Sequence, residues 1–459
     1  MRKAARWLFL AFLGLYLLSM GGGLYSTDGE TMLRLTWRLV DKGRLDIPCD
    51  PALPSAVPGP DGRCYSRYGL GQPLAAIPFY LLGKLTSALL PGTDYGALVR
   101  FFVARFNQVV AALTCALLFL FATRLHRSLR LALVVACVYG LTTMAWPYAK
   151  FYFSEPLTAL CLLAATFALF HFREEPARRW LFLGGCAFGY AVLTRPSSLV
   201  ALPFLLGYLL FKVRRTSEVR RTLYRLICFL GPVVFFLGLV AFYHWRAFGH
   251  PLATGYAGET WSAPLWQGLY GLLFSPGKSL FLFNPLALLS FPALALFYKE
   301  GRRAEALLFA SLFFAYLLLH AGWWTWHGGW SWGPRFLLPA LPFLILPLGA
   351  LWQRGRLWQA AFCLLGGAGL VAALLGVLVD FNAYMLYVND EPKVLFAARY
   401  SPLLGHLRFA LEGKLDLHAA DLSAFGLGSG WPAPLLYAFL LSGATFLLWR
   451  ELSQKQAQD

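Results

Sequence analysis

Twelve apolar stretches dominate the sequence, at roughly 5–22, 98–123, 131–148, 156–172, 180–194, 197–212, 226–245, 279–298, 304–322, 336–352, 357–379 and 431–449. A helix needs ~20 mostly apolar residues to cross a bilayer. Most of these stretches reach or approach that length. The short fifth and sixth flank Arg195-Pro196 and read as a helical hairpin. Charged residues make up only 14% of the chain, against about 25% in soluble proteins. That balance excludes a disordered chain, a coiled coil and an ordinary soluble enzyme. The predicted fold class is an all-α polytopic membrane protein with about 12 transmembrane helices.

The formal charge of +18 would point to nucleic acid in a soluble protein. Here it follows from topology, and no nucleic-acid partner is expected. With Arg2, Lys3 and Arg6 on the cytoplasmic side, the inner segments carry 22 Lys and Arg against 7 acids, and the rest carries 18 against 15. The stretch 70–90 is also apolar. Counting it as a span would move Arg124, Arg127, Arg130 and the basic run from Lys212 to Arg225 outside, against the positive-inside rule. It is therefore read as helices lying at the interface. The expectation is a multi-pass protein of the plasma (inner) membrane with both termini cytoplasmic and a first helix that is retained. Residues 1–379 would form the transmembrane catalytic module with an outer loop at 23–97. A second outer segment covers 380–430, and 431–459 holds the last span and a tail. No GxxxxGK[ST] phosphate loop and no internal repeat is present.

The first outer loop carries acids beside a predicted helix. In 31–42, Met32, Leu35 and Leu39 recur at helical spacing while Arg34, Arg38, Asp41 and Lys42 fall opposite, the pattern of a helix in the membrane interface. Thr27 and Glu30 have capping-box spacing, which puts Asp28 at the first helical position. Two residues apart, Asp28 and Glu30 do not share a helix face. Cys49 and Cys64 flank a Pro- and Gly-rich loop, and an oxidising outer compartment favours a disulfide between them. The other six cysteines read as small core residues.

This layout, an acidic motif after the first span and then an interfacial helix, resembles that of the GT-C glycosyltransferases, membrane enzymes with polyprenyl-phosphate sugar donors. The segment Tyr65-Ser66-Arg67-Tyr68-Gly69-Leu70-Gly71-Gln72-Pro73-Leu74 resembles the basic/aromatic-Pro-Leu stretch of the protein mannosyltransferase and aminoarabinose transferase branch. Leu98-Val99-Arg100-Phe101 is similar to the arginine motif opening that branch's second span. Ser154-Glu155-Pro156 stands where the branch has a second acid before proline. Gly184 to Pro196 resembles its glycine-rich helix ending in Thr and a basic residue. The resemblance covers about residues 5–215, in order. The chain departs from it in placing Gly29 between the two acids, in using Glu as the second acid and in displacing the basic residue to Arg67. The short stretch after the last span argues, as an expectation, against an oligosaccharyltransferase and against a close aminoarabinose transferase.

Transfer of a sugar from a lipid phosphate needs a base for the acceptor hydroxyl and cations for the departing phosphate. Asp28 is the expected base. Glu155 is expected to position the acceptor or a divalent cation, Mg or Mn. Glu30 is the third acid of the set, with a structural role favoured. Arg67, Tyr68, Arg100, Arg195 and Arg335 are the expected donor contacts, since arginine grips phosphate in bidentate fashion. The segment 323–335 packs five tryptophans into ten residues, with Gly328-Gly329, Gly333-Pro334 and His327. An interfacial aromatic belt explains part of this. A sugar-stacking, phosphate-binding loop using His327, Trp330 and Arg335 explains the rest. The acceptor would be a glycan, lipid or protein hydroxyl on the outer face. The rival readings are a transporter or flippase of lipid-linked sugars, and a glycan ligase or polymerase with a lipid-pyrophosphate donor. Transporters bury ionisable groups near the midplane, whereas here the polar residues crowd one face.

Overall fold

The computed structural model describes residues 1–211, 219–418, 425 and 432–456. Lys212, Arg214 and Arg215 of the basic run, and most of 419–431, lie outside the described residues. The chain divides into two compact units. The first comprises Met1–Gly23, Asn107–Phe151 and Thr260–Asp459, and the second Leu24–Phe106 and Tyr152–Glu259. Each is built almost wholly from helices.

Among the described residues, six helical stretches are long and apolar enough to cross a membrane: Tyr95–His126, Glu155–Glu174, Thr222–Phe248, Arg303–Ala321, Arg356–Leu378 and Ala433–Gln454. Shorter apolar helices accompany them. Leu223, Ile227, Val234, Phe235 and Phe242 are exposed on one helix, and Leu435, Leu436, Phe439 and Phe446 on another. Apolar surface on that scale marks contact with lipid. The chain is built as an integral membrane protein.

Several predicted spans are helical but broken, and proline and polar caps explain where. The stretch 336–352 becomes a 3-10 turn, Arg335–Ala340, followed by the short helices Leu341–Ile345 and Leu348–Trp352. Pro339, Pro342 and Pro347 each remove a backbone donor and crowd the preceding turn. The stretch 279–298 breaks at Asn284-Pro285 into Leu280–Phe283 and Ser290–Lys299. At 131–148, Thr143 is extended and separates Leu129–Thr142 from Ala145–Lys150. The predicted 98–123 helix breaks at Ala104-Arg105.

In the second unit the interfacial helix Thr27–Lys42 buries Met32, Leu33 and Leu35. The loop after it holds a small antiparallel sheet, which periodicity did not announce. Its strands are β1 (Asp46–Ile47), β2 (Ala56–Pro58) and β3 (Cys64–Ser66), in the order β1-β3-β2. Strands of two and three residues are too short to show alternation. A disulfide joins Cys49 to Cys64. Leu35, Ile47, Tyr65, Leu70, Leu193 and Tyr243 form one core beneath the sheet. The stretch 70–90 forms Gly71–Ala75 and Ile77–Leu89. Thirteen residues reach about 20 Å at ~1.5 Å per residue, short of the ~30 Å hydrocarbon thickness. Asp41 fastens this helix to the interfacial one, accepting from Tyr80 and Lys84 at 2.7 Å each.

Candidate active site

The interfacial helix begins in a way that corrects the capping-box reading. Ser26 is the N-cap, and its hydroxyl accepts the Gly29 N–H at 3.0 Å. Glu30 does not reach back to Thr27. Asp28 is accordingly the second helical residue, beside the positive end of the helix. It is half-buried, and its carboxylate is hydrogen-bonded to the Tyr68 hydroxyl. The same hydroxyl lies 3.0 Å from Ser55 Oγ. Burial, and then the charge of Asp28, push the Tyr68 phenol well above its ordinary pKa. The phenol therefore stays protonated and donates to the carboxylate.

Tyr68 owes its position to the sheet. β3 ends at Ser66, whose side chain accepts the Tyr68 N–H at 3.1 Å and whose carbonyl accepts the Tyr243 hydroxyl at 2.6 Å. The next residues pack against the end of the glycine-rich helix Arg178–Thr194. At Gly71 a Cβ would sit 2.1 Å from Thr194 Oγ1 and 2.6 Å from its Cα, so only glycine fits. Gln72 donates to the Phe153 carbonyl at 3.3 Å, and Gly29 abuts Tyr152. Residues 27–30, 66–72, 152–155 and 193–195 thus form one continuous wall of the second unit.

That wall brings together two residues predicted separately. Glu155 opens the helix Glu155–Glu174 and is 1% exposed. Arg195, extended between its helix and the Pro196–Ala201 turn, donates to Glu155 at 2.6 Å and to Ser154 at 3.3 Å. Arg67 pairs with Glu259 and lies over the Tyr256 ring at 4.1 Å. Its buried Nε has no hydrogen-bond partner among the described residues. Sequence reasoning missed Glu259 and Tyr256, because they stand almost 200 positions from Arg67 and carry no motif.

Glu30 and Arg100 make their own group. Arg100 pairs with both oxygens of Glu30, one contact measuring 2.8 Å. Arg34 bonds Glu30 at 3.1 Å and Asp50 at 2.9 Å. Burial works against the Glu30 charge, but hydrogen bonds and charge from Arg100 and Arg34 outweigh it and hold the carboxyl below its usual range. The pair locks the helix start to the helix Tyr95–Val103.

In the first unit, Gly328 and Gly329 of the tryptophan-rich segment take positive φ of 72° and 66°, and a Cβ on Gly328 would strike the Arg335 side chain at 2.9 Å. His327 lies 3.3 Å from Glu391. Its hydrogen bond, ahead of the opposing effect of burial, holds Glu391 below its usual pKa. Trp330 is exposed, and Arg335 lies against Phe336. Trp326 and Trp332 are buried at 3% and 0% exposure, and so within the segment they serve packing. Packing holds them: Trp332 stands edge-on to Phe283 and against His406, and Trp326 against Phe396.

Lys278, which no motif marked, anchors this segment from below. Its buried ammonium donates to the carbonyls of Gly329 at 2.9 Å and Ser331 at 2.6 Å, and to Ser331 Oγ at 2.9 Å. Burial, with Arg335 second, pushes its pKa well down. Lys278→Met strands these acceptors, at about 1–3 kcal/mol for each one left unsatisfied. A lower thermal midpoint in detergent, with faster proteolysis at 323–335, is the expected result. An unchanged midpoint would remove Lys278 from this role.

His406 gives the first unit a pH dependence. Its Nδ1 lies 2.9 Å from the Leu375 carbonyl, and burial pushes its pKa from 6.5 down to about 3. The folded state keeps the ring neutral, while the unfolded chain takes up a proton below pH 6.5. The stability present above that pH is lost as pH falls toward 3, at about 1.4 kcal/mol per unit. Thermal unfolding at pH 7 and pH 5 should show a larger loss in the wild type than in His406→Gln. Equal losses would exclude His406 as the source.

Among the described residues, no group of three or more His, Cys, Asp or Glu is arranged to hold a metal ion. Glu155, the residue expected to position one, is engaged by Arg195.

No family model matches the chain, and no curated protein matches it in sequence. Solved structures do match. ArnT from Cupriavidus metallidurans in the apo state has 15% identity and a TM-score of 0.53, over 95% of this chain and 76% of that one. The same protein bound to undecaprenyl phosphate has 16% identity and a TM-score of 0.50, over 97% and 76%. ArnT is an aminoarabinose transferase with the GT-C architecture. The likeness runs through nearly the whole chain, and the fold of this protein is the GT-C fold.

Proposed function

We infer that the protein is a glycosyltransferase that moves a sugar from a polyprenyl-phosphate donor to an acceptor hydroxyl on the outer face of the membrane. The observation that carries this reading is the half-buried Asp28 carboxylate, oriented by Tyr68 on a wall that also bears Arg67 and the Glu155–Arg195 pair. The fold shared with ArnT, a protein captured with undecaprenyl phosphate, supports the donor class.

Asp28 takes the proton of the acceptor hydroxyl as its oxygen attacks the anomeric carbon. A new glycosidic bond forms, the bond from the anomeric carbon to the phosphate oxygen breaks, and polyprenyl phosphate leaves. Arg67 and Arg195 balance the charge that develops on that phosphate. Glu155 sets the direction of the Arg195 guanidinium. Tyr68 fixes the carboxylate rotamer. Glu30 and Arg100 hold the helix that presents Asp28. In the first unit, Arg335, His327 and Trp330 are proposed by themselves as sugar or phosphate contacts, one cation and two rings displayed by a segment held from beneath by Lys278.

Purified protein in proteoliposomes, supplied with labelled polyprenyl-phosphate sugars, should release free polyprenyl phosphate in step with glycosylated acceptor. Turnover only with a pyrophosphate donor would replace the donor class. Movement of intact donor between leaflets without bond cleavage would replace transfer by transport.

A further inference from the structure

A cavity lies in the first unit, between the helices Arg2–Leu18 and Pro432–Gln456. The two helices touch closely at Gly14, where a Cβ would come within 2.9 Å of the Leu441 backbone nitrogen. Toward the Arg2 end the two helices line an open groove with a volume of about 520 Å³. That lies within the ~300–1,000 Å³ of ordinary small-molecule sites.

Its lining changes character along its length. Along the first helix Leu10, Trp7, Arg6 and Lys3 line it in turn toward the Arg2 end, and Leu447 and Arg450 line it from the second helix. Glu451 is the one acid in the lining, against three cations. Leu10 and Arg6 are four residues apart, one helical turn, so the apolar and basic zones lie about 6 Å apart along the axis. Tryptophan beside cations is the composition of a membrane–water boundary. A ligand that fits both zones carries a negative headgroup joined directly to hydrocarbon.

We propose that this cavity binds an anionic phospholipid, with its phosphate at Arg6, Lys3 and Arg450 and the first carbons of its acyl chains against Trp7, Leu10 and Leu447. The remainder of the chains lies in the bilayer alongside the helix Pro432–Gln456, whose exposed Leu435, Leu436, Phe439 and Phe446 contact lipid. The lipid bridges the two helices where their own packing ends. None of these residues belongs to the transfer machinery, so the site stands or falls independently of the proposed function.

Native mass spectrometry of the full chain, equilibrated in micelles with equal phosphatidylglycerol and phosphatidylcholine, tests this. The wild type should retain phosphatidylglycerol preferentially. Arg6→Gln with Arg450→Gln should lower that retention about 25-fold, since each basic residue near an anionic headgroup contributes about fivefold. Arg6→Lys with Arg450→Lys keeps the charge and should keep the lipid, which covers the case of a Gln variant that fails to fold. Leu10→Trp keeps every charge but obstructs the apolar end of the cavity, and should also weaken lipid retention. Excess inorganic phosphate should displace nothing. Equal retention of the two lipids by the wild type, undiminished retention in Leu10→Trp, or displacement by phosphate would each overturn the proposal.

Discussion

On the proposed function, Asp28→Asn should abolish sugar transfer from a polyprenyl-phosphate donor, with kcat/KM falling by about 10²–10⁴, the usual contribution of a positioned base, while the protein folds as before. The argument rests on shape. Asparagine fills the same volume, and its side-chain carbonyl still accepts from the Tyr68 hydroxyl that holds Asp28. The amide cannot take a proton from the acceptor. Stability and chemistry therefore separate in this variant, and thermal unfolding in detergent beside single-turnover transfer measures both. Near-normal turnover would end the assignment of Asp28 as base.

Glu30→Gln is the contrasting variant. It loosens the contacts with Arg100 and Arg34. Arg100 is half exposed, and pairs of that kind contribute under about 1 kcal/mol. The folded carboxyl titrates below its usual value. Its contribution is therefore present at neutral pH and is lost as pH falls through the folded pKa. Glu30→Gln should unfold slightly earlier at pH 7 and retain transfer. A stable but inactive Glu30→Gln would exchange the roles of the two acids.

Arg195→Ala carries the largest expected loss of stability. Glu155 is 1% exposed and Arg195 donates to it at 2.6 Å. Removing one partner of a buried pair leaves an uncompensated charge and costs about 3–5 kcal/mol. Replacing both, as Glu155→Gln with Arg195→Leu, leaves no charge to compensate and should recover most of the fold. Transfer should not return in the double variant, because the departing phosphate would lack one of the two cations proposed for it. Recovery of both fold and activity would reduce the pair to a structural role. A single Arg195→Ala variant as stable as the wild type would contradict the geometry.

The membrane class was legible because hydrocarbon imposes one requirement on every span, a long apolar run with internally satisfied backbone. The same runs hid where the helices break. Asn284-Pro285 and the three prolines of 339–347 stand inside apolar stretches, and hydropathy does not respond to a missing N–H. Asp28 was legible because an acid just after an apolar run is conspicuous. Its partner was not: the Tyr68 contact depends on a three-stranded sheet with two- and three-residue strands, too short to carry a period. The tryptophan-rich segment was visible by composition alone. Composition cannot distinguish Trp330, which is exposed, from Trp332, which fills the core, since both have the same neighbours in sequence.

Apolar run length and charge placement determined by themselves that this chain is a helical membrane protein, and a handful of polar residues, Asp28, Glu155 and the arginines, marked where the proposed chemistry is to be tested. Tertiary structure alone decided which acid meets which cation. Glu30 went to Arg100, Glu155 to Arg195 and Glu259 to Arg67, over separations of 70, 40 and 192 residues. The physical reason is that hydropathy and helical periodicity are local properties of the chain. Ion pairing depends on which helix ends the packing brings within hydrogen-bond reach, and at Gly71 that packing depends on the lack of a single Cβ.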